Sequence, residues 1–200
     1  MVFSFPGGSS GQAAKPLRGP AELRAYWEGL RRGTGIPSRA DLDPRGISGV
    51  LDRVFVGERI GTGLIRLRIA GTALTDIAGL EMKGLPLSVL FLPEARARLA
   101  EVLERVLAAP QAAELHLEAE RSIGRPALSG RLLLLPLHSN GGARDLVLGC
   151  LATEGETGRA PRRFAIARAV EEALVPPEAK PLQHRTLPGR PHLRLVHSAD

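Results

Sequence analysis

The sequence contains a single cysteine, Cys150, in 200 residues. An internal disulfide is excluded, and so is a four-cysteine zinc site. No run approaches the ~18 apolar residues that a membrane-spanning helix needs, although the apolar fraction is an ordinary 44%. The opening residues, MVFSFPGGSSGQ, lack the positive and continuous apolar regions of a secretory signal, so the expected location is the cytoplasm, with no membrane partner. No pair of His, Cys or carboxylate residues stands at metal-ligand spacing. There is no G-x-S-x-G and no phosphate-binding loop; Gly61-Thr62-Gly63 is a lone G-x-G in what reads as a hairpin connection. No internal repeat is visible. No reaction can be read from these residues.

Charge is present, but unevenly. The net charge of +6 raises the question of nucleic acid. Residues 21–154 carry 17 basic and 16 acidic groups, so five of the six excess charges lie in the flanks. A nearly neutral middle is not a duplex-binding surface. Arginine outnumbers lysine 24 to 3, a ratio that codon bias in a GC-rich bacterial genome accounts for.

The pattern divides the chain into three parts. Residues 1–19, rich in Gly, Ser, Pro and Ala, read as a mobile arm. Residues 20–154 read as one domain. It opens with a helix over 20–32 whose Leu23, Tyr26, Trp27 and Leu30 share one face. This helix carries the only Trp and the only Tyr and must dock them on the domain or on a second copy. Two strands follow, DRVFVGERI and LIRLRI; in the second, Ile65, Leu67 and Ile69 alternate with Arg66 and Arg68. GTALTDIAG predicts a short helix and LPLSVLF a turn. PEARARLAEVLERVLAAP predicts a longer helix with Leu99, Val102, Leu103, Val106 and Leu107 on one stripe. AELHLEAE, ALSGRLLLLPL and DLVLGCLAT predict three closing strands, the second covered on both faces. Residues 155–200 read as a basic, Pro- and Arg-rich tail: one short amphipathic helix using Phe164, Ile166, Ala169, Val170 and Leu174, then disorder.

The order strand, strand, small helices, long helix, strand, strand, strand resembles the PAS domain family. The residues that carry the resemblance are RLRIAGTAL, the glycine-punctuated GLEMKGLPLSVL, LAEVLERVL and the three closing strands. The chain is most similar to short stand-alone bacterial PAS-like proteins that open with a Trp-containing helix and a P-x-R-x-D-x-D-P stretch, here Pro37 to Pro44. The resemblance implies an α+β fold: a five-stranded antiparallel sheet in order 2-1-5-4-3 with helices on one face. It also implies that the segment between the second strand and the long helix walls an internal cavity, small and apolar in character because it shapes a pocket and does not react in it.

The ligand pocket expected on this basis uses Leu67, Ile69, Leu74, Asp76, Ile77, Met82, Leu87, Leu90, Val102, Leu103, Val106, Leu117, Leu133 and Val147. Asp76 is the one polar candidate, and a solvent-facing role suits it better. His116 alternates with Glu114 and Glu118 and should point outward, and His138 stands before a Ser-Asn-Gly-Gly turn. Haem-binding relatives commonly place a His on the long helix, and none stands there. The photoactive flavin motif with its cysteine is absent, and Cys150 falls on the last predicted strand. The cofactor is therefore unknown, with haem and photoactive flavin argued against.

The implied function is a non-enzymatic sensory or regulatory module. It would bind a small apolar or amphipathic ligand, form a homodimer through the Leu23–Leu30 helix or another face, or do both. It would signal to a separate partner protein. One alternative is an adaptor that binds nucleic acid or an acidic partner through the basic tail. Another is an enzyme on an α+β cone, which would require a buried Asp–His or Tyr pair within the cavity, such as an inward-facing Asp76 beside His138.

Overall fold

The computed structural model describes residues 18–33, 35–109 and 111–174. The expected mobile arm over 1–19 is corrected at residues 18 and 19, which belong to the first helix; its remainder, and the expected disorder over 175–200, lie outside the described residues. Helix α1 (Arg18–Leu30) is followed by 3-10 turns at Arg39–Asp41 and Pro44–Arg53. Strands β1 (Val54–Gly61) and β2 (Leu64–Ala70) form a hairpin that turns at Gly63, φ 65°. Helix α2 (Thr72–Ala78), a 3-10 turn at Leu87–Leu90 and helix α3 (Arg96–Ala108) come next. Strands β3 (Gln111–Ala119), β4 (Leu128–Leu137), β5 (Leu146–Gly155) and β6 (Phe164–Ala173) complete the described residues.

The sheet is antiparallel, in order β2-β1-β5-β4-β3-β6. The expected order 2-1-5-4-3 holds, and β6 extends it by one strand beside β3. The predicted amphipathic helix at 164–174 is therefore corrected to a strand. Its apolar residues fit a sheet edge because a register shift at the β3–β6 pairing leaves Ala167 without a partner. A bulge of this kind changes the phase of the side chains beyond it.

Two cores sandwich the sheet. On the inner face lie α2, the 80–92 stretch and α3, packed on Phe55, Ile65, Leu67, Leu115, Leu117, Leu132, Leu134 and Val147. On the outer face lie α1 and the 44–53 turns, packed on Val54, Val56, Leu133, Leu135, Leu148 and Cys150. The expectation of helices on one face holds for α2 and α3, and α1 crosses the other. Alternation explains the division: consecutive leucines of β4 point to opposite faces, so a continuous apolar run needs cover on both. The β1–β5 pair shows the tightness of this packing. Phe55 lies opposite Gly149, and a Cβ there would come within 2.1 Å of the ring.

Trp27 decides where α1 docks. It has no exposed surface, its Nε1 donates to the Pro136 carbonyl at 3.1 Å, and the guanidinium of Arg31 lies 5.3 Å from its ring centroid. The helix thus rests on its own domain. Leu23 is buried beside it, while Tyr26 and Leu30 are half-buried. The Tyr26 hydroxyl donates to the Asp43 carbonyl and accepts from the Asp43 amide. The carboxylates of the Pro37–Pro44 stretch serve the backbone: Asp41 accepts from the Ser38 amide at 2.8 Å and Asp43 from the Arg45 amide at 2.9 Å, capping the two 3-10 turns.

Candidate functional site

The inner face is the candidate site, and its wall is the stretch from α2 to α3. Gly79, φ 70°, ends α2 by donating to the Thr75 carbonyl at 2.7 Å, the left-handed stop that glycine allows. The chain then turns back onto β2. The Gly84 amide donates to the Leu67 carbonyl at 2.7 Å, and the Leu67 amide donates to the Leu85 carbonyl at 2.9 Å. The wall is thus hydrogen-bonded to β2 at residues 84 and 85 and meets that side of the sheet elsewhere through apolar side chains. Eleven of the expected pocket residues come together here: Leu67, Leu74, Ile77, Met82, Leu87, Leu90, Val102, Leu103, Val106, Leu117 and Val147 all belong to one buried cluster. Their helix, turn and strand positions supply hydrocarbon and one thioether, with no titratable group among them.

Three expected pocket residues lie elsewhere. Ile69 is 46% exposed. Val56 pairs with Ile69 and Gly57 with Leu67, so Arg68 is an extra residue in β2 and turns Ile69 to the outer face. Leu133 is buried but belongs to the outer core, because the inward phase of β4 falls on Leu132 and Leu134. Asp76 is exposed on α2, as its solvent-facing reading anticipated. The structure does not join it to His138, whose Nδ1 lies 2.9 Å from the Gly142 carbonyl. His116 is half-buried, 3.6 Å from Glu114. Cys150 lies within the outer core, and burial pushes its thiol up to about 12, so it is scarcely ionised near neutrality. Among the described residues, no group of three or more His, Cys, Asp or Glu could hold a metal ion.

Two features escaped sequence reasoning. The first is Arg162, the one charged side chain among the described residues with no exposed surface. Its guanidinium donates to the carbonyls of Thr157, Glu120 (3.1 Å) and Pro126 (2.8 Å). Its amide donates to the Ile77 carbonyl at 2.8 Å. Residues 157–164 therefore form a strap. The strap touches the end of α2, where a Cβ on Gly79 would lie 2.9 Å from Ala160. It also touches the β3–β4 turn through Arg159 amide to Gly124 carbonyl at 2.8 Å. It closes on the wall again at Phe164, whose carbonyl accepts from the Leu92 amide at 3.0 Å, and runs on into β6. In the sequence Arg162 is one of 24 arginines, in an unpatterned loop, and nothing marks it. The second feature is Glu171 on β6, which reaches across to Arg105 and Arg98 of α3. The hydrogen bond from Arg105 holds its carboxyl below the ordinary glutamate value, against an opposing effect of burial.

A family model described as PAS domain matches residues 17–152. Solved structures similar to the chain include the light-state structure of the blue-light photoreceptor Aureochrome1 LOV, at 12% identity and TM-score 0.41, covering 56% of this chain and 88% of that one. They also include a Rhodobacter sphaeroides LOV protein, at 14% identity and TM-score 0.41, covering 68% of each chain. A third is an RNA-binding Light-Oxygen-Voltage receptor, at 14% identity and TM-score 0.38, covering 76% of this chain and 36% of that one. No curated protein matches the chain.

Proposed function

The chain belongs to the PAS domain family, and on that premise we propose that it is a non-enzymatic cytoplasmic sensor that binds a small apolar or amphipathic ligand between the wall and the sheet, dimerises, and signals to a separate protein. The observation that carries the reading is the make-up of the wall. From Leu74 to Leu90 it meets the sheet through hydrocarbon and the Met82 thioether, and its main-chain bonds to β2 are confined to residues 84 and 85. Such a surface recognises shape and apolar area and offers no acid, base or nucleophile. A ligand that fits one placement of the wall better than another biases the population toward it. The strap supplies the route outward, because Arg162 and Phe164 join the wall to β6, the last strand among the described residues.

Native mass spectrometry of the freshly purified full chain tests the proposal. The expected result is a dimer that retains a small apolar molecule, released on unfolding. A monomer with nothing retained would overturn both parts.

A further inference from the structure

The end of the sheet beside the strap concentrates positive charge. Over residues 120–127 and 156–163, Arg121, Arg125, Arg159, Arg162 and Arg163 stand against Glu120 and Glu156. The two loops are fastened to each other. The Arg159 amide donates to the Gly124 carbonyl at 2.8 Å, the Glu120 amide to the Arg163 carbonyl at 3.1 Å, and Arg125 Nε to the Arg159 carbonyl at 3.3 Å. A Cβ on Gly158 would come within 2.5 Å of the Pro126 ring, so the strap lies directly on the turn. Around this seam Arg121, Arg159 and Arg163 are exposed and have no ion pair among the described residues. Arg125 pairs with Glu120 at 3.0 Å. The charge of buried Arg162 is met by carbonyls and by no carboxylate, so its field adds to theirs. The Ser122–Arg125 turn, closed by two main-chain bonds, holds Ile123 fully exposed, more than any other large apolar side chain among the described residues.

Resting on the reading that the chain signals to a separate protein, we propose that this arginine cluster is where that partner docks, and that it takes an acidic segment carrying an apolar side chain to cover Ile123. Charge complementarity selects the occupant. A planar guanidinium meets a carboxylate through two parallel hydrogen bonds, and grouped, unpaired arginines suit acidic segments. Glu120 and Glu156 stand among the arginines, with exposed Glu118 and Glu154 on the adjoining strands. A bilayer or a duplex presents continuous negative charge and meets these carboxylates too, whereas a peptide sets its acids only where the arginines are. The two loops contain no aromatic side chain on which a base could stack. The position also fits the signal. Arg162 bonds the Ile77 carbonyl of α2 through its amide and the Glu120 and Pro126 carbonyls through its guanidinium. A shift of the wall therefore moves the surface on which the partner sits.

Fluorescence anisotropy of a rhodamine-labelled synthetic peptide, Glu-Glu-Leu-Glu-Glu-Leu-Glu, titrated with the full chain tests this. Binding should saturate and should weaken as salt rises. Arg121→Gln/Arg159→Gln/Arg163→Gln should weaken it at least about tenfold, and Ile123→Ser at least about threefold. Arg32→Gln/Arg45→Gln/Arg66→Gln removes the same charge from exposed positions elsewhere and should change it less than about twofold. No saturable binding overturns the proposal, and so do equal losses from the two triple variants, which assign the effect to overall charge. Vesicles of phosphatidylserine and phosphatidylcholine, or a single-stranded oligonucleotide, held more tightly than the peptide through the same arginines overturn it in favour of a membrane or a nucleic acid. Native mass spectrometry of the same samples separates this failure from that of the sensor reading. A dimer that keeps its ligand and ignores the peptide overturns the docking site alone. An empty monomer that binds the peptide through these arginines overturns the sensor reading alone.

Discussion

A guanidinium with no exposed surface has to be solvated by the protein, and Arg162 is solvated by three main-chain carbonyls instead of a carboxylate. Burial pulls its pKa below the ordinary arginine value; nearby Arg125 adds to the effect, and Glu120 opposes it. The group stays charged because arginine begins so far above neutrality. Its planar fork matters as much as its charge, since one side chain meets acceptors in two loops. Arg162→Met should cost about 3 kcal/mol in urea unfolding, because buried carbonyls lose their donor at about 1–3 kcal/mol each. Arg162→Lys keeps the charge but not the fork, and should fall between the two. A loss under about 0.5 kcal/mol for the methionine variant would show that water replaces the side chain and that the strap is not fastened there.

At the scale of elements, β6 is an edge strand tied to α3 by Glu171 with Arg105 and Arg98. The Glu171 carboxyl is depressed in the folded protein. Its stabilising contribution is thus complete above the ordinary glutamate value of about 4.3 and is lost as pH falls through the lower folded value. Glu171→Gln should therefore be less stable than wild type at pH 7, by the roughly 0.5 kcal/mol typical of partly exposed pairs, and the two should converge in acid. Parallel urea curves at about pH 7 and about pH 3 check this, and a constant difference would assign the effect to packing. The same strand shows what could be read in advance. The α3 stripe and the positions of the first five strands along the chain were legible, because period and punctuation were clean, while their order in the sheet came from the family resemblance. The two misplacements at strand positions share one cause. In β6 the inward residues are Phe164, Ile166 and Ala169, a spacing of two and then three made by the extra Ala167, and it imitates a helix. In β2 the extra Arg68 sends Ile69 outward after a clean alternation. A bulge adds one residue with no compositional mark, and one residue reverses every face beyond it. Leu133 was ambiguous for another reason: in an apolar run both phases look alike.

At the scale of the whole molecule, the two cores decide which surface is left for a second copy. The wall and α3 cover the inner face, and α1 covers the middle of the outer face. Among the described residues, two outer regions remain. The one around β3 and β6 is mixed, with Glu114, His116, Arg131 and Arg168 adjacent in the strand pairing and the half-exposed Val170 among them. The one at the β1–β2 end carries Ile60 and Leu64, each about two-fifths exposed, with Ile69 at 46% beside the buried Val56 and Leu51 on the preceding turn at 41%. These exposed apolar side chains run along one edge of the sheet, Ile60 and Leu64 at the hairpin turn and Ile69 and Leu51 at its other end, and exposed apolar surface of this kind marks an association surface. In the proposed dimer this end is the contact. Ile69→Glu would then place two carboxylates in an apolar interface and weaken dimerisation at least about tenfold, an unfavourable change of at least about 1.4 kcal/mol. Sedimentation equilibrium measures it, with circular dichroism confirming that the fold is kept. Ile123→Glu, at a fully exposed position between β3 and β4, should leave association unchanged. A dimer indifferent to Ile69→Glu but broken by Ile123→Glu would move the contact to the opposite end of the sheet, beside the strap.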